Sequence, residues 1–203
     1  MDEISSRIMD VTIASIAFFA VLPLVALICL AIILQDGGSP IFMHYRVGRG
    51  GRLFPCLKLR TMVRDADVRL RNLLATDAAA RAEWEADQKL RKDPRITPLG
   101  LFLRKSSLDE LPQLLNVIWG HMSIVGPRPI VPAEAARYGR YMRFYCAVRP
   151  GITGLWQVSG RNNTGYRRRV AMDTIYCRTR SVRGDLSIMV RTIPAVLVNR
   201  GSF

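Results

Sequence analysis

The chain has 203 residues, about half of them apolar, enough for one packed domain of ordinary size with an appended segment. Thirty Lys and Arg against sixteen Asp and Glu leave a net charge of +14, which points to anionic partners: nucleic acid, an anionic membrane surface or phosphorylated small molecules. Four scattered cysteines (Cys29, Cys56, Cys146, Cys177) with no CxxC pair, and only two histidines (His44, His121), argue against a zinc site and for reduced thiols in a cytosolic setting.

Val11 to Leu34 carries no charged side chain. As a helix it would be about 36 Å long, enough to cross a hydrocarbon layer of about 30 Å. A cleavable signal fits poorly, because Met1-Asp2-Glu3 is acidic and no A-x-A site follows. Pro23 lies near the midpoint and divides the run into Val11–Leu22 and Leu24–Leu34, each about half a bilayer long. A segment that enters, bends and returns on one face fits this spacing, and so does a kinked spanning helix. The cationic flank Arg46, Arg49, Arg52, Lys58 and Arg60 places everything after Leu34 in the cytoplasm.

Beyond the turn cluster Asp36-Gly37-Gly38-Ser39-Pro40, Ile41–Val47 and Leu53–Leu59 read as a hairpin around Gly48-Arg49-Gly50-Gly51. Met62 to Lys92 reads as helical, with Thr76-Asp77 capping a second helix inside it, and Asp93-Pro94-Arg95 ends it. Leu111–Trp119 reads as a short apolar helix, followed by the stiff loop Gly126-Pro127-Arg128-Pro129. A basic helix runs from Tyr166 toward residue 180, and Ser187–Val198 is apolar around Pro194, either core or an interfacial helix.

The richest heptad is Ser106-Ser107-Leu108-Asp109-Glu110-Leu111-Pro112. It can be a capping box with Ser107 as N-cap, although Pro112 would then fall inside the helix and cost a hydrogen bond. With Asp109 nearer the cap, Pro112 moves into the first turn, where it is tolerated. An ionised, fixed carboxylate is a competent nucleophile toward phosphorus, and a neighbouring carboxylate can hold Mg²⁺. Arg104, Arg128, Lys58 and Arg60 supply the positive charge that phosphoryl chemistry needs.

At these residues the chain resembles the bacterial sugar transferases known as monotopic phosphoglycosyl transferases. Three blocks carry the resemblance: Pro40-Ile41-Phe42 through Lys58-Leu59-Arg60-Thr61-Met62; Asp93-Pro94-Arg95-Ile96-Thr97 through Ser107-Leu108-Asp109-Glu110-Leu111-Pro112-Gln113-Leu114 and Gly126-Pro127-Arg128-Pro129; and Arg149-Pro150-Gly151 through Gly160-Arg161-Asn162. The short length and the Arg200-Gly201-Ser202-Phe203 ending resemble the galactose-phosphate transferases that initiate exopolysaccharides.

The resemblance implies an α+β, mainly helical fold. A proline-broken re-entrant membrane helix (1–36) would precede a cytosolic catalytic domain (37–203) with a small β-hairpin or sheet and interfacial amphipathic helices. It also implies a protein of the bacterial inner membrane, facing the cytoplasm. Asp109 would attack the β-phosphorus of a UDP-sugar, release UMP and pass the sugar phosphate to undecaprenyl phosphate, while Glu110 binds Mg²⁺. Arg104 and Arg128 match phosphate-holding positions, and Gln157, Gly160 and Arg161 match the nucleotide block. Family members often carry a Ser before the membrane proline; here it is Leu22, so the bend at Pro23 is held differently. The competing expectation is a non-enzymatic, membrane-anchored basic protein that binds anionic lipid or nucleic acid. No helix-turn-helix, zinc finger or aromatic-rich RNA motif supports the nucleic-acid form of it. Association as a homodimer stays open.

Overall fold

A computed structural model describes residues 3–87, 90–159 and 165–197, and it is mainly helical with two small sheets. The apolar N-terminus forms one helix, α1 (Glu3–Asp36). Helical backbone continues through Pro23, so the expected division at that residue gives one element rather than two: a proline removes a single backbone bond, which the rest of a long helix can carry. One stripe of α1 is covered, from Ser6, Asp10 and Ala14 through Phe18, Val21 and Val25 to Ile28 and Ile32. Steps of three and four residues put these side chains on a single helix face. The other faces stay apolar and exposed, with Ile16, Phe19, Leu27 and Leu34 all more than half accessible. So large an uncovered apolar surface signals a membrane or a partner.

The hairpin forms as its pattern requires. Strands β1 (Ile41–Val47) and β2 (Leu53–Leu59) pair antiparallel, with Ile41 opposite Leu59 and Val47 opposite Leu53. Gly50 makes the turn at φ +68°, a conformation that costs glycine little. Helices α2 (Ala66–Thr76) and α3 (Ala78–Asp87) follow, and the Asp77 carboxylate caps α3 by accepting from the Ala80 N–H at 2.9 Å. The cap expected at Thr76-Asp77 is therefore made by Asp77.

Helix α4 (Pro98–Ser106) leads to a single 3-10 turn, Leu108–Glu110, and then to α5 (Gln113–Ile118). Strand β3 (Ser123–Val125) lies parallel to β4 (Gly151–Thr153), with α6 (Ala135–Tyr138) and α7 (Met142–Ala147) between them in the chain. This second sheet was not foreseen. Its strands are three residues long, and Arg149-Pro150-Gly151, which leads into β4, reads locally as a turn. The basic helix α8 (Tyr166–Thr179) and the apolar α9 (Val182–Leu197) complete the described chain. Helix α9 buries Asp185 and Ile188 while exposing Leu186, Val190 and Ile193, so it is half core and half uncovered apolar surface.

The core lies in patches that follow α1. Ala14 packs with Phe54, Cys56, Leu114, Val117 and Met122, while Ile28 and Ile32 pack with Leu59 and Leu103. Polar clasps fix the same alignment. The buried Asp10 carboxylate accepts from the Ser123 hydroxyl and the Ile124 N–H, each at 3.0 Å, and Arg7 donates to the Ile118 carbonyl at 2.9 Å. At its two ends α1 is held by ion pairs, Glu3 with Arg49 and Arg149, and Asp36 with Arg60. All four cysteines are free thiols.

Candidate active site

The carboxylate pair sits at a sharp corner. Helix α4 starts in the usual way, with the Thr97 hydroxyl accepting from the Gly100 N–H at 2.9 Å and Pro98 in the first turn. Gly100 has no side chain because the Thr61 carbonyl lies where its Cβ would be. The helix ends at Ser106, and Ser107 reverses the chain at φ +58°, the sole non-glycine residue in the left-handed region among those described. Ser107 makes no side-chain cap, so of the two readings of the heptad the capping box is not formed. The reason lies upstream: α4 has just ended, and Ser107 closes that helix instead of opening the next. Leu108–Glu110 then turns the chain, with Pro112 directly before α5, where its missing N–H costs little. The corner buries the Asp109 side chain to 9% exposure and leaves Glu110 at 22%.

Strand β2 brings Lys58 to the corner. Its ammonium donates to Glu110 Oε1 at 2.7 Å and to Asp109 Oδ2 at 3.3 Å. Arg128, from the proline-stiffened loop, reaches within 3.9 Å of Glu110 Oε1. Arg104 donates to the Thr61 hydroxyl at 2.8 Å and lies close enough to act on Asp109 through its charge. Burial pushes the Asp109 carboxyl above its ordinary range, and Glu110 adds to this; Lys58 and Arg104 oppose both and favour the ionised form.

Asn116 sets the register between Lys58 and the carboxylates. Fully buried in α5, it accepts from the Leu57 N–H at 2.9 Å and donates to the Pro55 carbonyl at 2.8 Å. One amide thus grips β2 on both sides of Cys56, two residues before Lys58, from the helix that follows Glu110. Sequence reasoning missed it because its partners lie 59 and 61 residues away.

A narrow cleft opens beside Lys58, lined also by Arg46, Glu110, Gln113, Arg128 and Gln157. Arg46 was overlooked, although alternation along the hairpin gives it away. Residues 42, 44 and 46 lie opposite 58, 56 and 54, so Arg46 shares a face with Lys58. Burial and the neighbouring Arg128 lower the Arg46 pKa. Gln157 donates from Nε2 to the Ile152 carbonyl at 2.9 Å, and its Oε1 is buried without a hydrogen-bond partner. Arg60 is not brought to the carboxylates: its guanidinium closes on Asp36 and on the Ile32 carbonyl. Gly160 and Arg161 lie outside the described residues. Pro23 lies within α1 and takes no part in this cluster.

No group of three or more His, Cys, Asp or Glu comes together among the described residues. The two carboxylates do converge on one cationic point, the Lys58 ammonium. Two carboxylates suit a magnesium ion that takes its remaining ligands from phosphate and water. Chemically, the corner offers one shielded carboxylate, one carboxylate facing the cleft, and three cations around them.

The family model described as bacterial sugar transferase matches residues 1–199. The exopolysaccharide production protein ExoY of Sinorhizobium fredii is 50% identical over 200 residues, covering 98% of this chain and 88% of that protein. The undecaprenyl-phosphate galactose phosphotransferase of Salmonella typhimurium is 52% identical over 169 residues, 83% of this chain and 36% of that longer protein. The UDP-glucose:undecaprenyl-phosphate glucose-1-phosphate transferase of Caulobacter vibrioides is 39% identical over 209 residues, 99% of this chain and 73% of that protein.

Proposed function

The chain belongs to the bacterial sugar transferase family, and we propose that it transfers a hexose-1-phosphate from a UDP-sugar to undecaprenyl phosphate, the first membrane step of exopolysaccharide synthesis. The observation that carries this reading is the shielded Asp109 carboxylate, held 3.3 Å from the Lys58 ammonium with Glu110 beside it. Galactose is the first choice of sugar, because a relative named for galactose is 52% identical and one named for glucose 39%.

In the first half-reaction an Asp109 oxygen attacks the β-phosphorus. The bond from that phosphorus to the oxygen bridging the two phosphates breaks, and UMP leaves with the electron pair. Asp109 then carries the sugar phosphate as an acyl-phosphate. An oxygen of undecaprenyl phosphate attacks the same phosphorus, and the Asp109 carboxylate leaves unchanged. Lys58, Arg128 and Arg104 stabilise the charge that moves through the phosphates, and their fixed positions lower the reorganisation cost. Glu110, with Asp109 beside it, would hold Mg²⁺, whose bound form neutralises diphosphate charge. Gln157 lines the cleft, and the family resemblance groups it with Gly160 and Arg161 as the nucleotide block.

Helix α1 serves in this reading as the membrane segment (1–36), entering and leaving on the cytoplasmic face below the catalytic part (37–203). Its covered stripe runs along one body from Ser6 to Ile32, and ion pairs hold both ends to that body. Ends fixed to one body fit a segment that stays on one side better than one that crosses. The basic flank after Leu34 supports the cytoplasmic side.

Release of UMP, measured across UDP-galactose, UDP-glucose and UDP-N-acetylhexoses with undecaprenyl phosphate in vesicles, tests reaction and donor together. UMP release fastest with UDP-galactose is expected. Release from none of the donors would refute the transferase reading, and a preference for UDP-glucose would change the sugar.

A further inference from the structure

A second cavity, of about 280 Å³, lies beside the start of α1, at the turn end of the hairpin. Four separate stretches of chain line it: Glu3, Arg49, Arg149 after α7, and Cys177, Arg178 and Arg180 at the end of α8. Strand β2 separates it from the carboxylate corner, since the five residue steps from Leu53 to Lys58 span about 17 Å. It therefore belongs to a different part of the surface from the transfer reaction.

Its charge is lopsided, with four guanidiniums and one carboxylate among the lining residues. Glu3 engages Arg49 and, at 3.3 Å, Arg149. Arg180 lies 3.5 Å from the buried Asp185. Arg178 has its guanidinium 5.8 Å from the Phe144 ring centre and no carboxylate partner among the described residues. Planar guanidiniums converging from several chain segments match the oxygens of a phosphate group. Next to the lining residues in the chain stand exposed apolar side chains: Ile4 follows Glu3, while Val182 and Leu186 follow Arg180 on α9. A cationic hollow, with exposed apolar side chains close to its lining residues in the chain, matches the headgroup level of a bilayer, where phosphate and acyl chain meet.

We propose that this cavity is a second phosphate site, which holds the headgroup phosphate of an anionic membrane lipid apart from the reaction at Asp109. Only the lipid as source of the phosphate rests on the membrane reading of α1. A lipid held there joins the start of α1, the hairpin turn and the end of α8, and so fixes the body against the membrane surface.

The test is hydrogen–deuterium exchange on the full chain in nanodiscs of phosphatidylcholine alone, with phosphatidylglycerol added, or with inorganic phosphate added. Phosphatidylglycerol should slow exchange in the segments around 147–149 and 177–180. Arg178→Glu should weaken that response by roughly tenfold in lipid concentration, the scale of one charge-assisted contact, while Arg178→Lys keeps most of it. A thermal melt checks that each variant is folded, and the paired change Arg49→Gln with Arg178→Gln replaces Arg178→Glu if that variant unfolds. Equal slowing by inorganic phosphate in phosphatidylcholine would support the phosphate site and make free phosphate its ligand. No slowing by either, or a phosphatidylglycerol response unchanged in Arg178→Glu and in the paired variant, would overturn the proposal.

Discussion

Two buried aspartates, Asp109 and Asp173, show how environment divides identical side chains between chemistry and architecture. Both are removed from water, and burial raises both pKa values. Asp109 faces an ammonium at a cleft and has charge close by to sustain its ionised form. Asp173, in α8, accepts from the Tyr138 hydroxyl at 2.7 Å, and its pKa is pushed up to about 7. The main compensating cation, Arg169, sits over the Trp156 and Tyr166 rings at 4.9 and 5.2 Å and pairs with Glu134. A carboxylate held ready for phosphorus needs a cation whose position is fixed from another chain segment. A carboxyl that ties Tyr138 to α8 needs only a hydroxyl.

The sharpest break between the two is activity. Asp109→Asn should lower UMP release by about 10³-fold or more, since the nucleophile itself is lost. The same change should leave the melting temperature unchanged or raised, because burying that charge opposes folding. A variant that unfolds would mean Asp109 is structural. Asp173→Asn should retain most of the activity, with the amide oxygen still accepting from Tyr138.

Removing the fixed cation should come next. Lys58→Gln is expected to cost about 10²-fold in turnover, the usual scale for one positioned donor. A loss under about threefold would show that Lys58 only fills space between the carboxylates. Asn116→Ala strikes the grip on β2 and strands a buried N–H and carbonyl, so a loss of about 2–4 kcal/mol is expected in chemical denaturation. Turnover should fall as well, through Lys58, in conditions where the variant is folded.

A pH series isolates Asp173. An acid whose folded pKa is about 7 and whose unfolded value is 3.8 contributes stability that is complete below the lower value. That contribution is lost as pH rises through the upper one. The wild-type melting temperature should therefore carry a downward component between about pH 4 and pH 7 that Asp173→Asn lacks. Parallel profiles in the two proteins would remove Asp173 as a titrating group. The smallest effect belongs to Ser107, whose left-handed backbone strains a residue that has a Cβ. Ser107→Gly should stabilise by less than about 1 kcal/mol, read from the same melts.

These clusters also show what the residues disclose by themselves. The hairpin was legible to the residue, because two alternating runs flank a glycine-rich turn and both signals are local. The apolar helix was legible from length and composition, and the heptad singled out the two carboxylates that the structure brings together on Lys58. Of the two readings the heptad allowed, the Ser107 cap fails, since a cap motif does not say whether a helix is starting or has just ended, while the one with Pro112 at the helix start holds. Arg60 misled for another reason: its charge fits a phosphate site, but Asp36 at the end of α1 claims it. Asn116 and the parallel pairing of β3 with β4 depend on contacts between distant segments, which no local pattern announces.

The central claim, that Asp109 itself carries the sugar phosphate, meets its most direct test in mass spectrometry of the full chain mixed with UDP-galactose and no lipid acceptor. A hexose-phosphate mass added to the peptide containing Asp109, absent in Asp109→Asn and discharged by undecaprenyl phosphate, is the predicted result. An unlabelled wild-type peptide under conditions that support turnover, or a label that persists in Asp109→Asn, would contradict it.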